Sequence, residues 1–226
     1  VYRSSKPEEA AKLYLEAYRI NPDLLDAYYE YAVILYKQKE YKKAADICFD
    51  ILAGNSNYFK AYYLLGKIKA DNHDNITAIE YFNNALDINP AFGEAYFRLG
   101  EMYLRIGRIK DSINALEKSL DFITPNYDPY VFYGQVLMTA GEIEKAGNIY
   151  DEALNINNKN TEAIVGIASI YIYKKNYQKA NDLLLPIISA EKIASINIIH
   201  AYQKICKKFN TCNLLIDYID YVERQF

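Results

Sequence analysis

The sequence of 226 residues is poor in the residues that build metal sites, disulfide frameworks and active sites. It contains two histidines, three cysteines, two methionines and no tryptophan. Cys206 and Cys212 are near enough in sequence to pair, but three scattered cysteines indicate a reducing compartment more than a disulfide framework, which favours a cytoplasmic location. We expect Cys48 to be a small buried core residue. No metal or other cofactor is expected.

The sequence also lacks a dominant charge and a long apolar run. Lysine and arginine total 26 against 29 acidic residues, which gives a formal net charge of −3. A nucleic-acid-binding protein normally presents a basic face, so nucleic acid is not an expected partner. No apolar run approaches the roughly 18 residues that a membrane-spanning helix needs, so no membrane span is expected in this chain.

Catalytic motifs are absent as well. The nine glycines form neither GxGxxG nor GxxxxGK[ST], so the sequence has no phosphate-binding loop. His73 lies in the polar stretch at residues 71–75, which reads as a solvated turn, and His200 lies among aliphatic residues, where a structural role is expected. Because the carboxylates are spread along the chain without a nucleophile and a base beside them, we predict that the chain is not an enzyme.

The sequence does contain a repeat of 34 residues. Small residues recur at this step in two series, which are Ala32, Gly66, Gly100, Gly134 and Ala168, and Ala10, Ala44, Ala78, Ser112, Ala146 and Ala180. Glycine in the middle of a helix costs about 0.5–1 kcal/mol relative to alanine, so the positions that hold it must require the absence of a side chain.

The apolar spacing within each unit predicts two amphipathic helices, with residues at i, i+3, i+4 and i+7. Breaks fall at residues 39–40, 107–108 and 141–142 within units, and at residues 21–22, 89–90 and 124–125 between units. Each unit is therefore a predicted helical hairpin. Gly100 and Ser112 mark the crossing of its two helices, where a larger side chain would hold the backbones apart.

The pattern resembles the tetratricopeptide repeat, whose signature combines an aromatic residue, Leu-Gly, a tyrosine, an alanine, a second aromatic residue and a closing proline. The unit at residues 59–92 matches it with Tyr62, Leu65, Gly66, Ala78, Phe82, Ala85 and Pro90. This resemblance covers almost the whole chain. It implies an all-α fold, a right-handed superhelical solenoid of antiparallel helix pairs.

We expect the array to span residues 1–194. Its predicted parts are a half repeat at 6–22 and full repeats at 25–58, 59–92, 93–126, 127–160 and 161–194. Residues 195–226 are expected to form a divergent C-terminal capping helix pair, because Tyr202 and Leu214 occupy the two small positions. Pro186 is expected to kink or stop its helix early. Since Val1 falls in the middle of a repeat, we expect the chain to be a fragment or a processed form.

In the family, the first helices of the hairpins line a concave groove. The positions that the resemblance places there are Tyr29, Tyr36, Tyr63, Lys67, Phe97, Arg98, Glu101, Arg105, Val131, Phe132, Gln135 and Val165. We expect Tyr29, Tyr63, Phe97, Val131 and Val165 to form an exposed apolar stripe flanked by charges of both signs. The alternative is that these side chains pack against adjacent first helices and expose only their edges.

The resemblance implies a non-catalytic scaffold that binds a peptide or helix of a protein partner in this groove. Chaperone-binding members hold a terminal carboxylate with lysine, asparagine and arginine side chains of three first helices. The corresponding positions here hold Tyr29, Val33, Leu64, Glu94 and Arg98, so such a clamp is not expected. Two alternatives stay open, which are a substrate-recruiting arm of a larger enzyme such as a transferase, and a self-assembling homo-oligomer.

Overall fold

The computed structural model describes residues 7–123 and 129–189. Within these residues it contains eleven α-helices and no β-strand. The helices are α1 (Pro7–Ile20), α2 (Leu25–Lys37), α3 (Tyr41–Gly54), α4 (Phe59–Asp71), α5 (Asn75–Ile88), α6 (Gly93–Arg105), α7 (Ile109–Phe122), α8 (Pro129–Ala140), α9 (Ile143–Ile156), α10 (Thr161–Tyr173) and α11 (Tyr177–Ser189). The predicted capping pair, with His200, Cys206 and Cys212, lies outside the described residues.

The chain divides into two compact units, Val1–Thr124 and Pro125–Phe226. The first unit contains α1 to α7, and its hairpins are α2 with α3, α4 with α5 and α6 with α7. The second unit contains α8 to α11, in which α8 packs on α9 and α10 packs on α11. In both units each helix packs mainly against its neighbours in sequence, as expected of a repeat protein.

The hairpins of the first unit cross at the predicted small residues. A Cβ atom placed on Gly66 would lie 2.5 Å from Cε1 of Phe82, and one placed on Gly100 would lie 2.5 Å from Cγ of Leu116. The buried Ser112 hydroxyl donates a 2.7 Å hydrogen bond to the Gly100 carbonyl oxygen, which ties the same two helices together. The prediction that these glycines permit close helix crossing is confirmed.

In the second unit one aromatic ring meets two glycines. Cβ atoms placed on Gly134 of α8 and Gly166 of α10 would each approach the ring of Tyr150 to within 2.6 Å. Tyr150 lies on α9 and is buried, and this burial raises the pKa of its hydroxyl to about 12. The ring therefore fills the space between two first helices, which explains why both of them carry glycine at the contact.

The turn inside each hairpin has one residue in the left-handed region. These residues recur at the 34-residue step and are Lys39 (φ 63°), His73 (φ 62°), Gly107 (φ 76°), Gly141 (φ 80°) and Lys175 (φ 59°). A positive φ is strained for residues other than glycine by roughly 1–2 kcal/mol. His73 is exposed in this turn, in agreement with the solvated turn that the sequence predicts.

Side-chain caps begin α5, α10 and α11, where Asn176 Oδ1 accepts a 3.3 Å hydrogen bond from the Lys179 amide at the start of α11. Asp74 Oδ1 accepts a 3.3 Å hydrogen bond from the Thr77 amide at the start of α5, and Asn160 Oδ1 accepts one of 2.8 Å from the Ala163 amide at the start of α10. Each cap satisfies a backbone N–H that has no partner within its helix.

Cys48 is a free, fully buried thiol in α3, as predicted, and burial raises its pKa to about 12. Pro186 lies inside α11, which continues beyond it to Ser189. The early stop expected there is wrong, because a proline that removes one hydrogen bond does not always end a helix. The kink remains a prediction.

Candidate functional site

Eight of the predicted binding residues lie on α2, α4 and α6, and we call the surface of these three helices the first-helix face. Tyr29, Tyr36, Tyr63, Lys67, Arg98 and Glu101 are partly buried there, and Arg105 is exposed. Phe97 is 7 % exposed, so the expected exposure of this ring is wrong. The alternative, in which the side chain packs into the array and exposes only its edge, holds for Phe97. Complete burial of such a side chain stabilises the fold by about 1.5–3 kcal/mol.

One group of contacts on this face joins α2 to the start of α4. The Tyr58 hydroxyl donates a 2.5 Å hydrogen bond to Asp26 Oδ1, and Lys60 Nζ lies 3.0 Å from the same oxygen. These two donors hold the pKa of Asp26 below its ordinary value. Lys60 also lies 5.9 Å from the centre of the Tyr29 ring, at the outer limit of a cation–π contact. The carboxylate of Asp26 is therefore already occupied by groups of the protein itself.

A second group of contacts lies at the opposite ends of the same helices. Asp71 Oδ2, at the end of α4, accepts a 2.7 Å hydrogen bond from the Tyr36 hydroxyl of α2 and a 3.3 Å bond from the Tyr41 hydroxyl of α3. The rings of Tyr36 and Tyr41 are tilted against each other at 5.6 Å. Burial, followed by the hydrogen bond to Asp71, raises the pKa of Tyr36, so its hydroxyl stays protonated as a donor.

The basic side chains Lys67 and Arg98 lie beside this group. Lys67 Nζ of α4 is 4.3 Å from the centre of the Tyr36 ring and 5.8 Å from that of Tyr63. Arg98 Nη1 of α6 donates a 2.7 Å hydrogen bond to Glu101 Oε2, with side chains 30 % and 20 % exposed. Burial lowers the pKa of Lys67, and the positive charge of Arg98 is the second cause.

Tyr63 and Arg105 complete the first-helix face. The Tyr63 ring packs edge to face on Phe92 at 4.8 Å and lies 5.7 Å from the ring of Phe82, so much of it supports the core. Arg105 Nη1 donates a 3.3 Å hydrogen bond to the Ala70 carbonyl oxygen, which links α6 to the end of α4. These residues present edges and polar tips to the surface rather than whole side chains.

The other four predicted residues lie in the second unit. Val131 and Val165 are buried, at 6 % and 8 % exposed, so the expected exposure is wrong for them as it is for Phe97. Removing an apolar valine side chain from water stabilises the fold, and these two side chains pack into the array. Phe132 of α8 is partly buried and Gln135 of the same helix is exposed.

Sequence reasoning missed Tyr41 and Tyr58 as members of this surface. Tyr41 is the first residue of a second helix, α3, and Tyr58 precedes α4, whereas the predicted positions all lie within first helices. The position of Tyr41 could have been predicted. The tight turn that contains the left-handed Lys39 brings Tyr36 and Tyr41, which are five residues apart in sequence, close together. The hydroxyl groups of Tyr41 and Tyr58 order the two aspartates of the surface.

Neither a metal centre nor a membrane span is found in the described part of the chain. Residues 7–123 and 129–189 contain no group of three or more His, Cys, Asp or Glu side chains placed to hold a metal ion. The helices of this part are too short or too polar to cross a bilayer.

The surface thus combines the edges of partly buried rings with charges of both signs, on the first helices of successive hairpins. Three sequence models described as tetratricopeptide repeat match residues 2–68, 63–128 and 127–160. The chain belongs to the tetratricopeptide repeat family. None of the curated proteins compared with it matches the chain.

Solved tetratricopeptide structures share the fold at low sequence identity. YrrB, titled a TPR protein with an unusual peptide-binding site, matches 85 % of this chain and 99 % of its own, with a TM-score of 0.69 and 20 % identity. Pseudomonas aeruginosa pilF matches over 91 % and 93 %, with a TM-score of 0.77 and 14 % identity. A chain of the APC/C hetero-tetramer Cut9-Hcn1 matches over 96 % and 43 %, with a TM-score of 0.66 and 19 % identity.

These similarities establish the predicted fold class, an all-α tetratricopeptide repeat superhelix. The repeats and the repeat-protein neighbours support a protein-interaction scaffold, and this fold is generally non-catalytic.

Proposed function

We propose that this chain is a non-catalytic scaffold that binds a peptide or helical segment of a protein partner on its first-helix face, in the concave groove of the array. The observation that carries the proposal is the group formed by Tyr36, Lys67 and Arg98, which come from three successive first helices. Amphipathic aromatic rings and arginine are frequent anchors of protein interfaces because they combine apolar area with directed polar groups.

Similarity adds support of a weaker kind. YrrB, which shares the fold, is titled as having an unusual peptide-binding site. Its 20 % identity carries the fold to this chain, and peptide binding by this chain is our inference. The segment bound would lie across several hairpins, because single repeats of such arrays present too few side chains to bind a segment alone.

Site-directed photocrosslinking tests the location of binding. The photoreactive residue p-benzoylphenylalanine replaces Lys37 or Arg105, which end the first helices α2 and α6, and in matched variants Lys42 or Lys110, which begin the second helices α3 and α7. All four positions are exposed, and each matched pair lies within one hairpin. Because Arg105 also bonds the Ala70 carbonyl oxygen, thermal melts must show that each variant is folded as the parent is before its adducts are compared. The variants are incubated with a lysate of the source organism and irradiated.

We expect the variants with the photoreactive residue at position 37 or 105 to form a covalent adduct with the same protein. The variants with it at position 42 or 110 should form no adduct with that protein. Mass spectrometry of the adduct then identifies the linked segment, and a synthetic peptide of that segment must bind the purified chain. Adducts formed equally from the second-helix positions, or a synthetic segment that does not bind, would contradict the proposal.

A further inference from the structure

Lys67 is placed unlike the other lysine of its helix that faces α2. Lys60, two turns earlier on α4, forms an ion pair of 3.0 Å with Asp26. The ammonium group of Lys67 instead lies over the Tyr36 ring at 4.3 Å, and within residues 7–123 and 129–189 no carboxylate lies within ion-pair distance of it. A charged lysine held partly out of water without an acidic partner is an unusual arrangement, because a removed charge is normally paired.

The surroundings of Lys67 are positive on balance. Burial is the largest cause that lowers its pKa, the charge of Arg98 is the second, and Lys37 contributes in the same direction. Asp71 acts in the opposite sense without reversing the shift. Its Oδ2 atom is already engaged by the hydroxyl groups of Tyr36 and Tyr41, so the nearest carboxylate is directed to other donors.

We propose that Lys67, with Arg98 beside it, binds the side-chain carboxylate of an aspartate or glutamate within an extended segment of the protein partner. This proposal rests on the proposed function and names the chemistry of one position in its ligand. Charge complementarity favours this ligand. A carboxylate supplies a negative charge opposite the Lys67 ammonium group and can accept hydrogen bonds from both cations. The Tyr36 and Tyr63 rings would flank the aliphatic stem of the bound side chain.

A carboxylate fits this position better than a phosphate group does. Arg98 is already bonded to Glu101, and Asp71 acts on Lys67, so the chain's own carboxylates balance part of the positive charge of these two cations. A group with a single negative charge balances Lys67, whereas a dianionic phosphate would be repelled by Glu101 and Asp71 and would need more free donors.

The test is a selection of random linear peptides by the purified full chain. Peptides recovered from a display library are synthesised with amidated C termini, and their affinities are measured by fluorescence anisotropy. We expect an aspartate or glutamate at a fixed position of the recovered sequences. Its replacement by asparagine or glutamine should weaken binding by about tenfold or more, as expected for a hydrogen bond to a charged group.

The variants assign that preference to Lys67. Lys67→Met keeps the length of the side chain and removes its charge, so it should bind the acidic peptide and its amide analogue with equal affinity. Lys67→Arg should retain the preference. Lys110→Met, at an exposed position of α7, is the matched control and should behave as the parent does. Circular dichroism verifies that each variant is folded.

Three results would overturn the inference, which are recovered peptides without a fixed acidic position, an acidic preference that persists in Lys67→Met, and binding that requires a free C-terminal carboxylate. In each of these cases peptides still bind, and the proposed function survives. If the chain selects no peptide at all, linear peptide binding fails together with the inference.

Discussion

Placing a methyl group on Gly66 tests whether close helix crossing is the reason for the repeating small residues. In Gly66→Ala the new Cβ atom would lie 2.5 Å from Cε1 and 2.7 Å from Cδ1 of Phe82, against an optimal carbon–carbon separation of about 3.5–4.0 Å. Phe82 is fully buried, so its ring cannot move into solvent. Overpacking of this kind costs about 1–3 kcal/mol, and alanine returns up to about 1 kcal/mol of helix propensity.

We therefore expect Gly66→Ala to lower the free energy of unfolding by about 1–2 kcal/mol. Gly54→Ala is the matched control, because Gly54 ends α3, is exposed and has no atom within 4 Å of an added Cβ. That variant should be as stable as the parent or more stable by less than about 1 kcal/mol. Urea unfolding followed by far-ultraviolet circular dichroism gives the midpoints and slopes needed for the comparison.

A second substitution makes the assignment to Phe82 specific. Phe82→Leu should cost less stability in the Gly66→Ala background than in the parent, because the added methyl group occupies part of the space that the ring leaves. A coupling free energy of at least about 0.5 kcal/mol is expected from such a double-mutant cycle. Equal stability of Gly66→Ala and Gly54→Ala, or strictly additive effects of the two substitutions, would refute the explanation by close crossing.

Three further predictions concern turns, caps and the crossing in α6 and α7. His73→Gly should raise the free energy of unfolding by about 0.5–1 kcal/mol by relieving a positive φ, whereas Gly107→His at the equivalent turn should lower it, both measured by urea unfolding. The pKa of Asp74 is lowered first by a hydrogen bond with the Thr77 side chain and, to a smaller extent, by the one from the Thr77 amide. The cap therefore stabilises the protein above the ordinary carboxyl pKa and is lost as pH falls through the lowered value. Asp74→Ala should therefore destabilise the protein at neutral pH and less at acidic pH in thermal melts, while Asn160→Ala should cost about 1 kcal/mol with no pH dependence of its own. Ser112→Ala should cost about 0.5–1.5 kcal/mol in urea unfolding, and no loss would show that its buried hydrogen bond to α6 adds nothing to stability.

The periodic part of the fold was predictable because backbone geometry imposes it. A glycine or alanine every 34 residues is required wherever two helices cross closely, and the structure places Gly66 and Gly100 at such crossings. The contact of Tyr150 with both Gly134 and Gly166 was harder to predict from the sequence. It joins a second helix to two first helices, and only one of these belongs to the same hairpin as Tyr150. The sequence step predicts positions on a helix, but not which neighbour a large ring reaches.

The surface was predictable only in part, because helical position does not determine burial. The positions that face the groove in the family include Phe97, Val131 and Val165. These apolar side chains are nevertheless buried, because packing against neighbouring side chains removes their surface from water. Polar contacts were harder still to foresee. The hydrogen bond between Tyr36 and Asp71 depends on the offset between adjacent hairpins, and that offset is decided by the packing of the whole unit.

Several contacts of the first-helix face connect one hairpin to the next, so binding and stability share residues. Asp26 with Lys60, Tyr36 with Asp71 and Arg105 with the Ala70 carbonyl each join first helices in adjacent hairpins. Loss of any of these groups would weaken the interface between hairpins as well as any ligand site, and reduced binding by such a variant would have two explanations. Lys67 lies among them through its contact with the Tyr36 ring but forms no ion pair within the described residues, so replacing it changes the charge of the surface and removes that one contact. For this reason a change of ligand preference in Lys67→Met reports on recognition, whereas a change of affinity in Tyr36→Phe would report on recognition and hairpin packing together.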